Sequence, residues 1–411
     1  MSNKAEGLTL HIPDGINYEC TGCGTCCGGW SVPMTEEDYF RISDIDWAAR
    51  NDKFVGKSLF RELKDYESKG TPYTHAIKEG EDGHCPFLVD KLCFIHSQFE
   101  SSTKPSICQL FPYCFNETPS GIYATVSFVS VGAVNNSGKA LSDQREYLEK
   151  KLKEFKTLYP EHQPNWSKLQ MSTGIPLTWD EYLGHEEKLL EFLRDESKTF
   201  DQRLLDGSTY LMGELKKKRE SSSASPQPVS LDSAPPLKGL DKQLLVALHS
   251  IYFPVKTLGR GEQNFNFYRF LYQSIFLGFL PPRIKVMLKS YSFEELEKME
   301  FPFGDGEIDN LIYRYLFQRI FGKLYFGAGF GQLSLIVGFH HLSIIYALLK
   351  LQAKALAKAR GAEKVSYLDV VAAVRQLEKR LGETALDGMA AATYELLMFS
   401  HTRLSRILAH S

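Results

Sequence analysis

Cysteine is absent from residue 115 to residue 411, so all eight cysteines of the chain lie in its first third. An excess of charge of either sign is also lacking. The formal net charge is −2 at pH 7, so no overall basic field would attract nucleic acid. The N-terminus has no unbroken apolar stretch of the kind found in secretory signals. We therefore expect a cytoplasmic protein that does not bind nucleic acid, in a reducing compartment where dense cysteine clusters usually bind metal.

Several catalytic motifs are missing as well. No G-x-S-x-G, H-E-x-x-H or Walker A motif occurs, so the sequence does not support a hydrolase or an NTPase. The glycine-rich stretch from Phe326 to Gly331 follows no clear strand and so lacks the βαβ context of a nucleotide-binding loop. We interpret its glycines as positions of close packing.

The cysteines form two groups, and the first occupies the eight residues CTGCGTCC. Thiolates three residues apart in a turning loop can point at one centre, a spacing that recurs at zinc and iron–sulfur sites. Disulfides are the alternative, but adjacent cysteines in so dense a cluster are awkward to pair without strain. We predict a metal centre whose ligands come from Cys20, Cys23, Cys26, Cys27, Cys85, Cys93, Cys108 and Cys114.

The spacing of the cysteines does not by itself separate zinc from an iron–sulfur cluster, because both take thiolates. Seven or eight thiols exceed the four that one tetrahedral zinc ion uses. An adjacent cysteine pair with further thiols suits a cluster of several irons. We expect an iron–sulfur cluster, with zinc as the alternative.

Composition and pattern divide the chain into segments of different character. We predict a mainly α fold in which a small, irregular cysteine-rich domain with a few short strands precedes a larger all-α part. The predicted segments are a metal-binding domain at 1–142, a charged helical segment at 143–219, a Ser/Pro-rich linker or exposed loop at 220–238, and an all-α domain at 239–411.

Two local signals in the first segment predict single elements. Thr35 followed three residues later by Asp38 has the form of a capping box and predicts the start of a helix. The run from Ile122 to Phe128 is rich in β-branched and aromatic residues and predicts a strand.

The stretch from Leu324 to Leu349 contains no Asp, Glu, Lys or Arg and is long enough to raise the question of a membrane span. It also contains four glycines, Gln332 and the pair His340–His341. We interpret it as a glycine-broken turn followed by a central buried helix rather than a transmembrane span. The two histidines are then core residues with satisfied rings rather than ligands or bases.

The order of the cysteine motifs resembles a known family. C-x-x-C-x-x-C-C, followed by G-x-C-P-F-L, C-x-I-H and K-P-x-x-C-x-L-F-P, is similar to the CxxCxxCC zinc- or iron-chelating family. That family includes YkgJ-type proteins and the flagellin lysine N-methylases. The resemblance covers roughly residues 18–140 and matches Cys20, Cys23, Cys26, Cys27, Cys85, Cys93 and Cys108.

One position departs from the pattern of this family. Ser130 stands where members tend to carry a further cysteine. Either the centre has one thiolate fewer, or Cys114 takes over the role. Both alternatives stay open on the sequence.

The long helical C-terminal half is similar to the flagellin lysine N-methylase branch. That resemblance implies methyl transfer from S-adenosylmethionine to a lysine of a protein substrate, flagellin-like or other, and it favours [4Fe–4S]. The sequence contains no Rossmann methyltransferase loop, so no catalytic or cofactor-binding residue is named. The alternative is a non-catalytic metal-binding module with a helical interaction scaffold, and whether the protein is an enzyme is left open.

Overall fold

The computed structural model describes residues 9–28, 31–68, 71–160, 162–220, 231–254, 282–383 and 388–411. The chain forms two compact units, Met1–Gln163 and Pro164–Ser411. Helices dominate and most of the short strands lie in the N-terminal unit, which confirms the predicted mainly α class. Residues 221–230 of the predicted linker lie outside the described residues, and Leu231–Ser233 within it forms a 3₁₀ turn.

The N-terminal unit is assembled from short elements. One sheet has the strand order Leu10–His11, Gly121–Val126, Tyr113–Thr118, and the other has the order Val32–Met34, His75–Ile77, Phe60–Glu62. A hairpin pairs Leu88–Val89 with Leu92–Cys93. The α-helices described here are Glu36–Ser43, Asp65–Ser68, Phe94–Gln98, Ser106–Leu110, Val131–Val134 and Arg145–Leu158.

Both elements predicted in the first segment are confirmed. Thr35 is the N-cap of the helix Glu36–Ser43: its hydroxyl accepts a bond from the Asp38 N–H at 3.1 Å, and the Asp38 carboxylate accepts one from the Thr35 N–H. The strand Gly121–Val126 covers most of the predicted stretch and is paired on both of its edges.

The core of the N-terminal unit is built around an aromatic cluster. The rings of four phenylalanines lie 4.6–6.4 Å from the ring of Trp47, centroid to centroid. The Trp47 indole N–H donates to the carbonyl of Ile42 at 2.9 Å, which satisfies its polar edge. Cys85, Cys93 and Cys108 pack against this core. The cysteine-rich unit therefore has an apolar core of its own, with three thiols at the margin of that core.

The C-terminal unit is built from longer helices. Its sheets are hairpins, which pair Gln170–Ser172 with Ile175–Pro176 and Arg283–Val286 with Lys289–Ser292. The second of these lies in the segment expected to be all-α. The helices are Trp179–Leu193, Phe200–Glu220, Gly239–Tyr252, Phe293–Glu297, Gly306–Phe321, Leu335–Ala359, Tyr367–Glu383, Gly388–Met398 and His401–His410.

The helix Leu335–Ala359, called the central helix below, lies at the middle of this unit. It is long and apolar enough to cross a membrane, but its most apolar 18-residue window is completely buried within the protein. The prediction of a central buried helix is confirmed. The preceding turn also packs as expected: a Cβ on Gly327 would lie 2.8 Å from the Trp166 ring, so only glycine fits at this contact.

The histidine pair of the central helix has a structural role. His340 lies 2.7 Å from the Ser208 hydroxyl through Nε2 and 2.8 Å from the Met398 carbonyl through Nδ1. His341 lies 2.7 Å from the Tyr252 hydroxyl. Burial lowers the pKa of His340 to about 4 and that of His341 to about 3, so both rings are neutral at pH 7. These are core histidines with satisfied rings, as predicted.

Candidate metal centre

No disulfide joins any of the eight cysteines, all of which lie in described residues; Cys20 and Cys114 are exposed and the others are partly buried. Among the residues that the structure describes, no three Cys, His, Asp or Glu side chains lie close enough together to hold one metal ion. The ligand set predicted from the sequence stays a prediction.

The backbone joins the two cysteine groups, which are far apart in the sequence. The Cys85 N–H donates to the Cys27 carbonyl at 2.7 Å. The next residues on each side, Gly28 and His84, form an antiparallel bridge. The end of the CTGCGTCC stretch is thus fixed beside the start of the second group.

Four thiols are close enough to influence one another electrostatically. We call Cys27, Cys85, Cys93 and Cys108 the core thiols. Burial is the largest cause of the raised pKa values of three of them: it raises the pKa of Cys27 to about 11 and that of Cys85 to about 12, and it raises the pKa of Cys108 well above the usual range. Charge on the neighbouring core thiols raises these pKa values further.

A tight hairpin positions Cys93 among the core thiols. Asp90 and Lys91 form its turn and both have positive φ, 50° and 66°, as a type I′ turn requires. Cys93 therefore pairs directly with Leu88. On the other side of Leu88 lies Gly24, whose φ is +69° and where a Cβ would lie 2.8 Å from the leucine side chain. Glycine at this position lets the first cysteine loop approach the hairpin.

A buried carboxylate positions the helix that carries Cys108. Asp38 is 0% exposed, and its two oxygens accept bonds from the Ser106 N–H at 3.0 Å and the Ser106 hydroxyl at 2.8 Å. Arg41 pairs with the same carboxylate and also donates to the Lys104 carbonyl. Sequence reasoning identified Asp38 only as a capping residue. Its second role depends on a partner 68 residues away and has no local signal.

The thiols nearer the N-terminus have further neighbours outside the core thiols, although charge on Cys26 and Cys20 also adds to the burial that raises the pKa of Cys27. Cys26 lies in the 3₁₀ turn Thr25–Cys27, with its sulfur 3.9 Å from the Val129 carbonyl. Burial raises the pKa of Tyr18, a hydrogen bond to Ser130 opposes that change, and charge on Cys20 and Cys26 adds to it. Ser130, where the resembling family carries a cysteine, is therefore close to this loop.

Cys114 lies on the strand Tyr113–Thr118, opposite Thr125. Its sulfur is 3.6 Å from the Pro112 carbonyl, and its charge contributes to the raised pKa of Tyr159. These neighbours differ from those of Ser130. The alternative in which Cys114 takes over the role of the missing cysteine stays a prediction.

Comparison with known proteins points to the same segment. Residues 19–127 match the family model CxxCxxCC, described as "Putative zinc- or iron-chelating domain". An uncharacterized protein of Methanocaldococcus jannaschii is 28% identical over 101 residues, which are 24% of this chain and 30% of the relative. The chain thus spans less than a third of the length of this curated relative. No solved structure matches the chain. Residues 19–127 are therefore similar to a domain family that is described as zinc- or iron-chelating, which supports metal binding by this segment.

Proposed function

We propose that the chelating domain binds an iron–sulfur cluster, for which [4Fe–4S] fits the number of nearby thiols best. The observation that carries this proposal is the grouping of four free thiols, the core thiols, within electrostatic reach of one another beside an apolar core. Four cysteine thiolates are the usual ligands of such a cluster. A cluster at this place would transfer electrons or bind a ligand at an open coordination position of one iron.

The remaining thiols of the first loop favour iron–sulfur over a single zinc ion. A tetrahedral zinc ion and a [4Fe–4S] cluster each take four thiolates, so the core thiols alone could fill either site; the adjacent pair Cys26–Cys27 and the further thiols Cys20 and Cys23 suit a cluster of several irons. In our proposal Cys20, Cys23 and Cys26 either ligate the cluster in place of a core thiol or shield it. The aromatic core around Trp47 would cover the opposite side and exclude water.

Anaerobic purification followed by iron, acid-labile sulfide and zinc analysis tests this proposal. We expect equal amounts of iron and sulfide, on the order of four irons per chain, together with visible absorption. Cys85→Ser should abolish both. Ser97→Ala, on the neighbouring helix Phe94–Gln98, is the matched control and should retain the metal. One zinc ion per chain, without sulfide or visible colour, would contradict the cluster but not chelation.

The resemblance to flagellin lysine N-methylase supplies a finer proposal, that the protein transfers methyl groups from S-adenosylmethionine to a protein lysine. Among the described residues, no geometric observation favours this activity, so it rests on the resemblance alone. Calorimetric titration of loaded and metal-free protein with S-adenosylmethionine tests it. Binding that requires the metal would support a methylase. Absence of binding to folded, loaded protein would leave a metal-binding module whose helical half is an interaction scaffold.

A further inference from the structure

A cavity of about 600 Å³ lies in the C-terminal unit. It is bounded by the turn between the helices Trp179–Leu193 and Phe200–Glu220, and by the N-terminus of the helix Gly306–Phe321. Its volume lies within the range of about 300–1,000 Å³ that is typical of small-molecule sites. All its lining residues belong to this unit, so a ligand bound there would not depend on the metal centre.

A fixed guanidinium group lines the cavity. Arg203 is only 5% exposed, and its Nε and Nη1 donate to the carbonyls of Lys198 and Leu193 at 2.8 and 2.9 Å. Its guanidinium lies over the Phe200 ring, 4.3 Å from the centroid. In the described part of the chain, no protein acceptor bonds to Nη2. The group is therefore held in one orientation with donor capacity left for a ligand carboxylate.

Carboxylates line the same cavity. Asp309 accepts a bond from the Gly304 N–H through Oδ2 at 2.9 Å, while Oδ1 has no hydrogen-bond donor among the described residues. Arg203 and Asp309 influence each other's charge but form no ion pair within the described ranges. Glu196 also lines the cavity and is exposed. The Arg203 guanidinium and the Asp309 carboxylate thus line the same cavity, and each has hydrogen-bonding capacity left because the two form no direct ion pair.

Apolar surface completes the lining. Phe200 is buried, whereas Phe303 at the rim is 51% exposed. An exposed phenylalanine beside a cavity offers apolar area that a bound ligand would remove from water.

We propose that this cavity binds a zwitterionic α-amino acid with an apolar side chain. Its carboxylate pairs with Arg203, its ammonium group with Asp309, and its side chain packs against Phe200 and Phe303. A simple anion would leave Asp309 without a partner, and a simple cation would do the same to Arg203. Only a ligand that carries both charges uses both groups.

Titration calorimetry of the purified full chain with three related probes tests this proposal. L-phenylalanine carries both charges, 3-phenylpropionate lacks the ammonium group, and 2-phenylethylamine lacks the carboxylate. We expect L-phenylalanine to bind at least about tenfold more tightly than either analogue, because a charged hydrogen bond is lost in each. Equal affinity for all three, or no binding of L-phenylalanine at millimolar concentration to folded protein, would overturn the proposal.

Substitutions then test which residue binds the ammonium group of the ligand and which binds its carboxylate. Asp309→Asn keeps an oxygen that can accept the Gly304 N–H, and it should weaken L-phenylalanine binding about tenfold without affecting 3-phenylpropionate. Arg203→Lys keeps the charge but loses the planar fork, and should weaken both carboxylate probes. Glu187→Gln removes an exposed carboxylate outside the cavity and should change neither. Affinities unaltered by Asp309→Asn and Arg203→Lys would contradict the assigned contacts.

Discussion

The N-terminal unit and the C-terminal unit bury very different kinds of surface. The first has short strands and helices around the Trp47 cluster, and its margin is formed by thiols that have no covalent cross-link. The second surrounds the 25-residue central helix, most of which is inaccessible to solvent. Around it lie buried or nearly buried ion pairs, among them Lys323–Glu186, Lys350–Asp201 and Arg319–Glu378.

This difference shows how size changes what a fold can contain. A large helical core can desolvate charged pairs because apolar burial offsets their cost. A small unit of short elements buries less surface and more often depends on a bound metal for part of its stability. We therefore expect the N-terminal unit to respond to metal, and the C-terminal unit to respond to packing and protonation.

Loss of the metal should have the largest effect on stability. It should also distinguish the N-terminal unit from the C-terminal unit most clearly. Cys27→Ser should lower the free energy of unfolding of the N-terminal unit by up to about 10 kcal/mol, because metal–thiolate bonds form only in the folded state. Hydrogen exchange should then rise in the strands of residues 32–126 and stay slow in the central helix. Thr25→Ala, in the same turn, is the control. Unchanged protection in the N-terminal strands would refute the dependence on metal.

Acid should act on the C-terminal unit. Burial lowers the pKa of His249 to about 4, as it does for His340, and that of His341 to about 3. As the pH falls from about 6.5 towards 4, the unfolded chain takes up three protons that the native chain does not. Stability should therefore fall, by about 4 kcal/mol per pH unit.

Chemical denaturation between pH 7 and pH 4.5, followed in the C-terminal helices, measures this slope. His249→Gln should reduce it by about 1.4 kcal/mol per pH unit. The same change at His96, which is exposed in the N-terminal unit, should leave it unaltered. A slope that is insensitive to His249→Gln would show that other groups control acid unfolding.

Asp38→Ala should have the next largest effect, on the N-terminal unit. It removes a buried carboxylate and leaves Arg41 and the donors of Ser106 without their acceptor. We expect a loss of about 3–5 kcal/mol and lower metal affinity, because the helix with Cys108 is no longer fixed. Glu37→Ala removes the adjacent carboxylate, whose side chain is 91% exposed, and should cost little. Equal thermal shifts for both variants would contradict the role given to Asp38.

Leu348→Ala should give the smallest of these effects. Leu348 is 0% exposed in the central helix, and its truncation should cost about 3 kcal/mol through lost burial and a cavity. Metal content should not change. Leu368→Ala truncates a leucine that is 73% exposed and serves as the control. A change in metal content on Leu348→Ala would show that the two units depend on each other.

Local sequence signals predicted local structure well. The Thr35–Asp38 pattern placed a helix start, and the missing charges from Leu324 to Leu349 predicted a buried helix, because each signal depends on neighbouring residues. The hairpin Arg283–Ser292 was not predicted, since its turn has no Asn-Gly or Asp-Gly pair. Contacts between residues that are far apart in the sequence were not predicted either, because no local pattern marks them.

The candidate sites, too, could be predicted only in part from local sequence patterns. Cysteine spacing predicted a chelating segment, but it could not say which thiols pack together or what holds them. The contact between Asp38 and Ser106, and the cavity shared by Arg203 and Asp309, join residues whose separation in the chain carries no periodic signal. Which of the eight cysteines ligate the metal remains a prediction for the variants above.

The order of the units along the chain has a consequence for biosynthesis. Every cysteine, and the bond from Cys85 to the Cys27 carbonyl, lies in the N-terminal unit, which leaves the ribosome before the C-terminal unit. At about 5–20 residues per second, translation of residues 164–411 takes on the order of 10–50 s. During that interval the chelating segment is already complete. Metal delivery can therefore precede the synthesis of the central helix, so that iron or zinc supply in the cell can already act on the nascent chain.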